Sequence, residues 1–146
     1  MKKALFAGSF DPFTRGHQSI VDRTLAIADE VVIAIGVNSG KTPMFSLEQR
    51  TEMIRRVYAG NERVRVESYS GLTTDFAQSV GATFLVRGVR SIMDFEAEKN
   101  MADVNRKLTG IETVLLITEP EFSSISSSIV RELMSHGRDV TEFLPD

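Results

Sequence analysis

The sequence predicts an α/β fold, a single domain over residues 1–146 built on a doubly wound, five-stranded parallel sheet. Three observations carry this reading. Five short apolar runs alternate with segments of helical periodicity, the order of repeated βαβ units. The runs are almost continuously apolar, as in Val31 to Val37, which suits strands covered by helices on both faces. Glycines, serines and cations gather just beyond the ends of those runs, where open α/β sheets bind their ligands.

The strands are expected at Ala4 to Ala7, Val31 to Val37, Val64 to Val66, Thr83 to Val86 and Thr113 to Ile117. The first helix, entered through Gly16-His17, carries Ile20, Val21, Thr24, Leu25 and Ala28 as an apolar stripe. Ser46-Leu47-Glu48-Gln49 has the spacing of a capping box and opens a second helix with Leu47, Ile54 and Val57 facing inward. A short third helix after Leu72 buries Phe76 and Val80. The longest helix, from about Met93 to Leu108, presents Met101, Val104 and Leu108 to the core and stops at Gly110, a residue suited to a left-handed cap. The last begins within Ser126-Ser127-Ser128, carries Ile129, Val130, Leu133 and Met134, and ends at His136-Gly137.

Composition narrows the function. A chain of 146 residues with no cysteine has neither a disulfide framework nor a thiolate metal site, and fits a reducing compartment. Met1-Lys2-Lys3 runs directly into the first strand without the apolar stretch of a signal peptide, and no run reaches membrane-spanning length, so a cytoplasmic protein is expected. The net charge of −3 argues against a nucleic-acid partner held by phosphate neutralisation. An anion site must therefore be local, and Lys41, Arg87, Arg90 and Arg131 are its candidate cations.

The stretch Gly8-Ser9-Phe10-Asp11-Pro12-Phe13-Thr14-Arg15-Gly16-His17 leads from the first strand into the first helix. Gly8-Ser9 allows the backbone to approach a ligand, and a helix starting beyond a strand end offers unpaired N–H groups and a positive dipole end to a phosphate. Taken singly, Gly8 makes a tight turn, His17 decorates a helix, each cation is a surface charge, and the serine run is an N-cap. Asp11 reads equally as an orienting group or as half of an Asp-Pro turn. Together, however, the loops after all five strands converge on one crevice.

Four motifs carry a resemblance to a known family. Gly-Ser-Phe-Asp-Pro-Phe-Thr-x-Gly-His resembles the His/Thr-x-Gly-His signature of a nucleotidyltransferase superfamily, and its Thr form looks like the bacterial phosphopantetheine adenylyltransferases. Ile125 to Glu132 is similar to the second signature, Ile-Ser-Ser-Ser-x-Val-(Lys/Arg)-Glu. Arg87-Gly88-Val89-Arg90 with Asp94-Phe95-Glu96-Ala97-Glu98, and Lys41-Thr42-Pro43-Met44-Phe45, match two further family patterns. Three residues depart from them: Ser9 stands where Thr is usual, Phe122 where Trp or Tyr is common, and Ser124 replaces an aromatic residue.

The resemblance implies a Rossmann-like enzyme moving AMP from ATP to 4′-phosphopantetheine, giving dephospho-coenzyme A and pyrophosphate. Its nearest alternatives are a nicotinamide mononucleotide adenylyltransferase, a cytidylyltransferase, or a non-catalytic nucleotide-binding module. It implies His17, Lys41 and Arg90 as catalytic residues, with His17 donating from its ring to the ATP phosphates. Ser9, Lys41, Thr73 and Arg87 fall to the acceptor. ATP falls to Ser9, Phe10, His17, Gly88, Val89, Arg90 and Glu98, and to Phe122, Ser123, Ser124, Ile125, Ser126, Ser127 and Ser128. Mg²⁺ is expected to arrive with ATP, held by phosphate oxygens and water and by no protein metal site. Coenzyme A is implied as an inhibitor and a homohexamer as the assembly.

Overall fold

The computed structural model describes residues 1–38 and 40–146. Along the chain run β1 (Lys3–Gly8), α1 (Arg15–Thr24), β2 (Glu30–Gly36), α2 (Leu47–Val57), β3 (Val64–Tyr69), α3 (Thr73–Ser79), β4 (Phe84–Val89), α4 (Ile92–Thr109), β5 (Glu112–Ile117) and α5 (Ser127–Ser135). The strands form one parallel sheet in the order β3-β2-β1-β4-β5. The chain thus winds outward from β1 to β3, then crosses back to β4 beside β1. The winding reverses between β1 and β4, and a crevice opens beyond their carboxyl ends.

Side-chain alternation explains why both faces are covered. In β1, Ala4 and Phe6 join Val31, Ile33 and Ile35 of β2 on the face packed with Ile20 and Val21 of α1 and Ile54 of α2. Leu5 and Ala7 join Val32 and Ala34 on the other face, against Ala77 of α3. Each large side chain so buried contributes about 1.5–3 kcal/mol, and the central strands β1 and β2 collect most of it.

The helix ends follow their sequence signals. Ser46 Oγ accepts from Gln49 N–H at 3.1 Å while Gln49 Oε1 accepts from Ser46 N–H at 2.8 Å. Gly110, at φ 77°, supplies the left-handed cap of α4 that a β-carbon would disfavour. Ser126 caps α5 by accepting from Ile129 N–H at 3.2 Å.

Four packing expectations need correction. The first helix ends at Thr24, whose hydroxyl donates back to the Ile20 carbonyl, and Ala28 is buried in the turn beyond. In α3 the buried residues are Thr74 and Ala77, with Phe76 and Val80 partly covered. On α5, Ile129 is exposed and Val130 takes the inward place. Most consequentially, no residue of α4 is buried, and Met101, Val104 and Leu108 are about half exposed or more. Their apolar stripe faces a cavity of about 610 Å³ between α4 and the sheet rather than a closed core.

Candidate active site

The site is built on the turn leaving β1. A β-carbon on Gly8 would lie 3.0 Å from the Phe10 ring, so the space that Gly8 leaves is filled by that ring. Phe10 holds φ 48°, a left-handed conformation unusual for an aromatic residue, and its ring packs on Phe6, Phe13 and His17 at centroid distances of 5.0–5.5 Å. Phe10 as a whole is only 2 % exposed, so it lines the crevice as a buried support beneath His17 and not as an open aromatic face.

Thr14 and His17 explain the Thr-x-Gly-His spacing. Thr14 is the N-cap of α1, its hydroxyl accepting from His17 N–H, and His17 sits three residues on, where a capping box needs a side-chain acceptor. His17 Nδ1 fills that role, accepting from Thr14 N–H at 3.0 Å. An acceptor Nδ1 assigns the ring proton to Nε2, which has no hydrogen-bond partner among the described residues. Burial, reinforced by the charges of Arg87 and Arg90, lowers the His17 pKa to about 4. At neutral pH the ring is therefore an uncharged Nε2–H donor.

This has a consequence for stability. An unfolded histidine takes up a proton near pH 6.5 and the folded ring does not until about pH 4, so the neutral ring's contribution is full above 6.5 and is lost as pH falls toward 4. Its size is roughly 2–3 kcal/mol. Denaturant midpoints at pH 7.5 and 4.5 should fall further for the wild type than for His17→Gln, and equal losses would show the ring is not held neutral.

The crevice, of about 470 Å³, gathers cations from separate loops: Lys41 after β2, Arg87 and Arg90 at the end of β4, and Arg131 of α5. Asp94 and Glu98 are the opposing carboxylates, leaving the crevice with two excess positive charges in a chain of net charge −3. Arg87 is held bidentately by Glu98, with both contacts at 2.9 Å, and donates to the Ala7 carbonyl at 2.6 Å. Three of its five N–H groups are thus engaged and two remain for a ligand. Arg90 pairs with Asp94 at 3.3 Å.

The serine run is more structural than its sequence suggests. Ser126 caps α5, Ser127 Oγ donates to the Pro12 carbonyl at 2.7 Å, and Ser128 Oγ accepts from Arg131. Only the Ser127 O–H is spent as a donor; Ser126 and Ser128 accept and keep their O–H groups, so an anion would meet those two hydroxyls together with the first-turn amides of Ser127 and Ser128, and the amide of Gly16 on α1.

Ser9, Gly88, Glu98, Phe122 and Ile125 also line this crevice. Val89, Ser123 and Ser124 do not: Val89 is a buried strand residue whose carbonyl accepts from Thr118 N–H, and Ser123 Oγ folds back to the Pro120 carbonyl. Thr73 lies in the 610 Å³ cavity, which adjoins the crevice through Ala7, Gly8, Arg87 and Glu98. Sequence reasoning missed Thr118 and Asp94 in the crevice and Asn105 in the cavity, and it placed Met101 in the core. The four-residue spacing of Arg90 and Asp94 was a legible signal; Asn105 had none apart from its place on α4. Among the described residues no group of three or more His, Asp or Glu side chains is placed to hold a metal ion.

Such a site favours phosphate esters, with two helix N-termini, four cations and a neutral imidazole donor around one space. Known proteins agree. A cytidylyltransferase-like family model matches residues 5–133. The chain is 60 % identical over 148 aligned positions to the phosphopantetheine adenylyltransferase of Porphyromonas gingivalis, and 54 % identical over 146 to that of Bacteroides thetaiotaomicron, covering all of this chain and 97 % of each relative. Among solved structures, a bifunctional NMN adenylyltransferase/ADP ribose pyrophosphatase from Francisella tularensis superposes with a TM-score of 0.76 at 18 % identity, over 99 % of this chain and 45 % of that one, a likeness of fold. By its motifs, its full-length similarity and the matching family model, the chain belongs to the phosphopantetheine adenylyltransferase family.

Proposed function

We infer that this protein transfers the adenylyl group of ATP to the phosphate of 4′-phosphopantetheine, releasing pyrophosphate and forming dephospho-coenzyme A. The observation that carries the reading is the junction of two spaces: a cationic crevice for phosphates continuing into a cavity lined largely by apolar side chains. A pantetheine arm is a long, flexible chain whose two amides and one hydroxyl are spaced along apolar methylene and methyl groups. Thr73, Met101 and Asn105 line the cavity it would occupy.

The chemistry needs no base, because the acceptor phosphate is already an anion. Its oxygen attacks the α-phosphorus of ATP, the bond from that phosphorus to the bridging oxygen breaks, and the electron pair leaves with pyrophosphate. The obstacle is repulsion between anions held in line. Lys41 and the two open N–H groups of Arg87 bind the acceptor phosphate. Arg90 and the amides at the start of α1 and α5 hold the triphosphate, and His17 Nε2–H donates to charge developing on the α-phosphate. The low His17 pKa suits this role, since the ring neither releases nor takes up a proton between about pH 5.5 and 8.

Mg²⁺ enters as part of the nucleotide substrate, bound by phosphate oxygens and water. Self-association is part of the same reading: Ile92 and Met93 at the start of α4 are each 81 % exposed, and Ile117 at the end of the edge strand β5 is 78 % exposed. Among the described residues no helix is long and apolar enough to cross a membrane. A cytoplasmic location is part of the same reading. The reaction is tested by pyrophosphate release from MgATP with 4′-phosphopantetheine, beside mixtures of MgATP with nicotinamide mononucleotide and of CTP with a phosphorylated alcohol. Release with phosphopantetheine alone is expected; release only with another pair would overturn the acceptor assignment.

A further inference from the structure

Arg50 of α2 is 5 % exposed, yet neither the motifs nor the proposed chemistry use it. Its Nε donates to the carbonyls of Phe45 and Ser46 at 3.1 and 3.4 Å, and its Nη1 donates to the carbonyl of Ser9 at 2.9 Å. Among the described residues it pairs with no carboxylate. A buried cation satisfied only by carbonyls is an expensive way to fill a core, since an apolar side chain of the same volume avoids the desolvation. What it supplies is geometry.

Asp11 completes the link from the other side. It is 6 % exposed, and its two carboxylate oxygens accept from Met44 and Phe45 N–H, each at 2.9 Å. Arg50 and Asp11 thus join the same two segments through separate hydrogen bonds: the Ser9-Phe10-Asp11 turn and the end of the Lys41–Phe45 loop. The first carries the crevice wall near ATP, and the second carries Lys41. Phe10 lies between the two anchor points in its left-handed conformation, and its own N–H has no partner among the described residues. Because the carbonyl and N–H of a trans peptide point in opposite directions, fixing the Ser9 carbonyl on Arg50 turns the Phe10 N–H away from α2.

We propose that Arg50 is a positioning residue that, with Asp11, holds the Lys41 loop at a fixed distance from the Ser9-Phe10 turn, so that acceptor and donor phosphates meet in line. The kinetic part of this inference rests on the functional reading above. The structural part does not, and the experiment separates them.

The test uses Arg50→Met, which removes the donors and keeps much of the volume, and Arg50→Lys, which keeps the charge but replaces the separated Nε and Nη1 donors by a single nitrogen that cannot reproduce their fixed fork. Amide hydrogen exchange is measured first, without substrate. Arg50→Met should speed exchange at Met44 and Phe45, whose N–H groups are bonded to Asp11, while the central strands β1 and β2 keep their protection. Unchanged exchange at those amides overturns the proposal whatever the enzyme does; should Arg50→Met not fold, the same measurement on Arg50→Lys decides. In pyrophosphate release, Arg50→Met should lower kcat by up to about a hundredfold, the loss expected for a displacement near 1 Å, with Arg50→Lys intermediate. It should also raise the acceptor KM several-fold, yet raise it no further in a Lys41→Ala background, because both changes remove the same placed cation. Normal kcat in a folded variant, or independent effects on KM, would overturn the positioning role. Absence of turnover in the wild type would instead count against the functional reading and leave the exchange result to decide the link.

Discussion

His17→Gln is expected to leave the protein folded and to lower turnover by about a hundred- to a thousandfold, the loss seen when one preorganised donor to a developing charge is removed. Glutamine is the residue a capping box ordinarily uses at this position, and its Oε1 replaces Nδ1 as acceptor for Thr14 N–H. The cap is kept. What is lost is the ring, with its contacts to Phe10 and Phe13 and its Nε2–H. The packing loss is about 1 kcal/mol. His17→Ala removes the cap as well, for about 1 kcal/mol more. Denaturant unfolding should therefore rank the wild type above Gln and Gln above Ala, while pyrophosphate release places both variants equally low. If Gln retains near-normal turnover, His17 serves the helix and not the chemistry; if Gln is as unstable as Ala, the capping role is wrong.

The two roles of His17 show what could and could not be read from the sequence. Apolar runs and capping signals gave strands, helix starts and the order of elements, because those depend on local periodicity and short-range hydrogen bonds. The convergence of Ser9, His17, Lys41, Arg87 and Arg90 followed from the rule that such sheets bind ligands at their carboxyl ends. Partners distant in sequence did not follow. Arg50 reaches the Ser9 carbonyl 41 residues away, and Glu98, expected to face ATP, closes on Arg87. Helix α4 misled for a physical reason: an apolar stripe has the same spacing whether it fills a closed core or lines an open cavity, and Met101, Val104 and Leu108 do the second.

Arg87→Ala should raise the acceptor KM by about ten- to a hundredfold, the range for losing charge-assisted hydrogen bonds to phosphate. Arg87→Lys should recover little of it. A lysine keeps the charge but cannot hold Glu98 with two parallel bonds, donate to the Ala7 carbonyl and still reach a phosphate. Removing Arg87 also does harm of a second kind, because it leaves the Glu98 carboxylate unpaired beside a space meant for anions. The double variant Arg87→Ala with Glu98→Gln separates the two effects. If part of the loss is repulsion from a bared carboxylate, the double variant binds acceptor better than Arg87→Ala alone, even though it lacks one more native side chain. If Glu98 is instead needed for ATP in its own right, the double variant recovers acceptor affinity while its KM for ATP rises. An acceptor KM left unchanged by Arg87→Ala would remove Arg87 from the acceptor phosphate altogether, and its bonds to Glu98 and Ala7 would then be all that the side chain does.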